Sequence, residues 1–99
     1  MRSKSLSRVS QWLRRRFPAP MPVQIRVVKR QPNLHGIVFI SEERALIRIT
    51  QDTDALMGET LLEEWAHVLR SACPLPLHDD HDALFWAILA AITKEYRGE

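Results

Sequence analysis

Two kinds of hydrophobic periodicity follow one another along this chain, and their order limits the fold more than any other feature. Val23, Ile25 and Val27 alternate with Gln24 and Arg26, and Ala45, Ile47 and Ile49 alternate with Leu46, Arg48 and Thr50. A period of two marks half-buried strands. Between them, residues 37–40 form a continuous apolar run that predicts a third strand, with turns at 31–36 and 41–43. The second turn is short enough to join the last two strands as a hairpin. Asp52, Thr53 and Asp54 then offer caps for a helix over 54–72, in which Leu61, Leu62, Trp65, Val68, Leu69 and Ala72 share one broad face. Leu84, Phe85, Ile88, Leu89, Ile92 and Tyr96 form a second helical stripe, predicting a final helix over about 80–96. "CPLPL" separates the two, since proline cannot continue a helix. Strands first and helices after predict an α+β fold: a small three-stranded, mostly antiparallel sheet and two packed C-terminal helices.

An N-terminal helix precedes the strands. Leu6, Val9 and Leu13 recur at helical spacing over residues 3–16, until "FPAPMP" breaks the pattern. Ninety-nine residues, 45% of them apolar, suffice for one domain: a basic helical arm and Pro-rich connection over 1–21, then a core over 22–99. The longest apolar runs, such as 83–92, are too short for a transmembrane segment. A lone cysteine, Cys73, excludes an internal disulfide and suits a reducing cytoplasm. No uninterrupted apolar stretch follows the early arginines, which argues against a secretory signal, although residues 2–17 share the acid-free, Arg- and Ser-rich composition of organellar targeting peptides.

The net charge of +2 conceals a division. Residues 1–41 carry nine Lys and Arg and no acid, while all twelve Asp and Glu lie from Glu42 onward. Either the basic segment meets DNA, RNA or another acidic partner, with Arg14, Arg15 and Arg16 as its densest cluster, or it neutralises the acidic half inside one fold.

The polar side of the 54–72 helix bears Glu63, Glu64 and His67. Residues four apart stack on a helix surface, so Glu63 and His67 can point at one spot. That spacing allows a shared metal ion and equally describes a solvated helix face. His81 adds weight, because it heads the apolar stripe of the last helix and should turn inward. His78, off that stripe, is a reserve ligand, and His35 sits at a turn where a surface position is the default. Trp12, Trp65 and Trp86 are expected in the core rather than as a stacking platform.

"ETLLEEWAHVLR", a short spacer and then "HDALFWAIL" resemble the small zincin-type metallopeptidase domains, including the SprT-like group. In that family a helix carries HExxH and the following helix opens with a third histidine. The resemblance covers about residues 22–97, but its specific content is two short motifs. It implies a zincin-like minidomain in which Glu64 is the general base and His67 and His81 are zinc ligands. Glu63 stands where the first ligand histidine is expected, and Asp82 where glycine is common. Two histidines and a glutamate form a working zinc set in other hydrolases, although an added negative charge makes bound water less acidic. The expectation is a metallopeptidase-related protein with a degenerate EExxH…H site, weakly active or inactive, acting on a protein or peptide. Its competitors are a pseudoenzyme serving as a binding or regulatory module, in a phage or other mobile element, and a nucleic-acid-associated protein using the basic arm.

Overall fold

The computed structural model describes residues 4–76 and 79–98. Six elements follow in order: α1 (Leu6–Arg16), β1 (Val23–Val28), β2 (Gly36–Ile40), β3 (Ala45–Thr50), α2 (Asp54–Ser71) and α3 (Ala83–Gly98). Hydroxyls start the first two helices. Ser5 accepts from the Arg8 amide, and Thr53, one of three candidate caps, accepts from the Leu56 amide, each at 3.3 Å. The last helix begins at Ala83 rather than near residue 80, because the Asp82 carboxylate accepts from the Phe85 amide at 2.9 Å.

The hairpin of β2 and β3 forms as expected, with Val38 opposite Ile47. The sheet as a whole is mixed rather than mostly antiparallel. Its order is β1-β3-β2, and β1 runs parallel to β3 with Ile25 beside Ile47. Burial accounts for this order. Ala45, Ile47 and Ile49 are all at most 1% exposed, so β3 takes the centre and the partly exposed β1 and β2 become edges. The chain reaches the far edge through a turn in which Pro32 precedes Asn33, whose φ of 61° lies in the left-handed region that asparagine tolerates. Thr50 ties this turn down by donating to the carbonyls of Leu34 and His35.

α2 lies against β2 and β3 on one side and against α1 and α3 on others. It is therefore buried on more than the predicted face: Leu61, Leu62, Trp65 and Val68 enter the core as expected, and Ala66 joins them. The N-terminal segment belongs to this core through Val9, Trp12 and Leu13. The Pro-rich connection is latched where the Trp65 indole donates to the Phe17 carbonyl at 2.8 Å. Trp86 departs from expectation: it is 53% exposed, because Phe85 rather than its neighbour fills the inward position of α3.

The approach of β2 to α2 depends on Gly36. A Cβ there would lie 2.5 Å from Thr60 Cγ2 and 3.2 Å from the Arg48 carbonyl oxygen. Gly36→Ala should therefore cost about 1–3 kcal/mol through overpacking. Urea unfolding measures the loss, and Gly36→Ala/Thr60→Ser should recover part of it, because the closer of the two clashing atoms is gone.

Candidate metal centre

Helical spacing puts Glu63, Glu64, His67 and Arg70 on one flank of α2, and β2 forms the opposite wall. Between them runs an open cleft of about 440 Å³, also lined by Asp80 and His81. The polar side of α2 is thus partly covered rather than wholly solvated. Glu64 shows the difference most clearly, at 8% exposed, with its Cγ only 3.4 Å from where a Gly36 side chain would begin.

Three of the candidate ligands converge. Glu63, His67 and His81 each offer a donor atom, and the three atoms lie within 4.8 Å of one another. The two imidazole Nε2 atoms are 3.2 Å apart, and His81 Nε2 is 3.8 Å from Glu63 Oε1. Donors around a tetrahedral zinc ion are separated by about 3.4 Å when bonds are near 2.1 Å, so two of these spacings already approach that geometry.

Neighbouring groups hold the imidazoles in place. Phe85 stacks on His67 with centroids 4.3 Å apart and lies 4.8 Å from the His81 ring. The Trp86 ring lies 5.6 Å from that of His81, which does not turn inward as expected: its side chain stays 46% exposed at the mouth of the cleft. Arg70, 3% exposed, donates from Nε and Nη2 to the Asp82 carboxylate and also binds the carbonyls of Leu75 and Pro76. It thereby fixes the chain on both sides of the loop that delivers His81. Position 70 follows 63 and 67 at helical spacing, so its place on this flank was readable from the sequence. Its buried pairing with Asp82, where the zincin motif favours glycine, was not.

Protonation favours metal binding. Burial, with help from His81, lowers the His67 pKa from 6.5, outweighing Glu63 and Asp80, so His67 is neutral near pH 7 and has a lone pair to give. Burial, with the neighbouring Glu63 charge, raises Glu64 to about 7. A carboxyl group at that value exchanges a proton at neutral pH, as a general base must.

No family model matches this chain. No curated protein matches it either. The remaining candidates divide as follows. His35 is exposed at the start of β2, outside the triad, and His78 lies outside the described residues. Arg14 is engaged within the fold, donating to Ser10 and to the Val23 carbonyl and lying over the Trp65 ring. Arg16 pairs with Glu95, joining the basic segment to the acidic half, whereas Arg15 is exposed. Among the described residues no helix is long and apolar enough to cross a membrane.

Proposed function

We propose that the protein is a zincin-like, metallopeptidase-related protein that holds one zinc ion through Glu63, His67 and His81 and cleaves peptide bonds slowly. The observation that carries this reading is the convergence of the three donors within 4.8 Å beside a carboxyl group held at about 7. Bound zinc would supply Lewis acidity toward a carbonyl and toward a coordinated water. Glu64 would take the proton from that water and pass it on to the leaving amine. Glu63 explains the slow rate, because a carboxylate ligand offsets part of the ion's charge and leaves the water less acidic. A peptide is favoured as substrate because the unpaired edge of β2 flanks the cleft, where an extended chain can add as a strand.

Protein stripped with a chelator and reloaded with zinc, incubated with fluorogenic casein, tests this. Slow cleavage is expected, dependent on zinc and lost in Glu64→Gln. Cleavage that survives Glu64→Gln would refute the assigned base. Zinc uptake without any cleavage would leave the competing reading, a binding module on a zincin-like frame.

A further inference from the structure

We propose that the outer face of the sheet, turned away from α2, binds single-stranded nucleic acid through Arg26, Arg48 and Phe39. The inference is independent of the metal centre. The strand alternation that sends Ala45, Ile47 and Ile49 into the core sends Leu46 and Arg48 outward, with Gln24 and Arg26 from β1 and Ile37 and Phe39 from β2. Of these six, all but the half-buried Leu46 are exposed, Phe39 by 48%.

Charge identifies the occupant. The three strands contain no Asp or Glu; the nearest acids in sequence are Glu42 and Glu43, in the turn beside Arg44, and Asp52, two residues beyond the end of β3. Arg26 and Arg48 are direct partners in the parallel register of β1 and β3. Like charges side by side in a sheet repel, and neither arginine has a carboxylate partner among the described residues. Adjacent strands are about 4.8 Å apart, so the two guanidinium groups can grip one phosphate or two successive ones. The Arg48 guanidinium lies over the Phe39 ring, 5.2 Å from its centre, so one ring face meets the cation while the ring as a whole stays 48% exposed beside the cationic pair. Cations for phosphates beside an exposed ring for bases are what a single strand needs, since its bases are free to stack. A duplex would hide its bases, and an acidic polypeptide would make no use of the ring.

Fluorescence anisotropy of a labelled oligothymidylate of about a dozen nucleotides, in chelator and low salt, tests the proposal. Binding is expected to weaken with salt, with a log–log slope of about −1.4 to −2.1 for two to three phosphate contacts. Arg26→Gln/Arg48→Gln should remove about 1.4 of that slope. Phe39→Leu should weaken binding about fivefold or more through lost stacking, and Lys94→Gln, on α3, should leave it unchanged. All of these positions are exposed, so the variants keep the core intact. No binding at low salt would overturn the proposal. So would binding unchanged by the double substitution, or tighter binding of polyglutamate through the same residues, which would assign the face to an acidic protein.

Discussion

Replacing Glu63 with histidine is expected to raise zinc affinity about tenfold or more, that is, by about 1.4 kcal/mol or more. Zinc is a borderline-soft ion, and imidazole suits it better than a lone carboxylate oxygen. The new ring would join His67 and His81, already 3.2 Å apart at Nε2 and held by Phe85. Cost to the fold should be small, because the Glu63 side chain is 46% exposed and packs in no part of the core. The substitution also removes the like charge that helps hold Glu64 high, so the Glu64 pKa should fall from about 7 in the same variant. Competition with a zinc indicator measures the first effect and carboxyl NMR titration the second. Affinity equal to or below that of the wild type would show that Glu63 is the better ligand in this frame.

Glu64→Gln should stabilise the metal-free protein, and only at higher pH. The folded-state pKa of about 7 lies above the ordinary value of 4.5, so the native state holds a proton that the unfolded chain has already released. The resulting stability is fully present below about 4.5 and is lost as pH rises through about 7. Glutamine mimics the protonated form at every pH. The variant should therefore match the wild type near pH 4.5 and exceed it at pH 8 by about 1–3 kcal/mol, allowing for solvent in the open cleft. Urea unfolding at the two pH values checks this. Added zinc should shrink the difference, because a nearby cation favours the ionised carboxylate. A pH-independent difference would mean that Glu64 is not held protonated by burial.

Most of the fold was legible in the sequence. The alternation at 23–28 and 45–50 and the stripe of 84–96 report local burial, which side-chain period encodes directly. The strand order was not legible, because period two says which face is buried and nothing about which strand becomes central. The surroundings of α2 were missed for a related reason. A helical wheel places Glu63, Glu64 and His67 opposite the apolar face, but only tertiary packing brings β2 across that side and buries Glu64. The meeting of His67 with His81 was implied by the resemblance to the two-motif zincin pattern; spacing alone left a solvated helix face as an equal reading, because His67 lies within α2 and His81 before α3. The roles of Arg70 and Gly36 depend on contacts between distant segments, and no periodicity carries them.

Calorimetric titration of zinc into chelator-stripped wild type, His67→Ala, His81→Ala and Glu63→Ala is the most direct test of the central claim. The account predicts one zinc per wild-type chain, with binding lost in both histidine variants and weakened in Glu63→Ala. Affinity should also fall as pH drops and protons compete for the imidazoles. Absence of binding to the wild type, or binding that persists in either histidine variant, would contradict it.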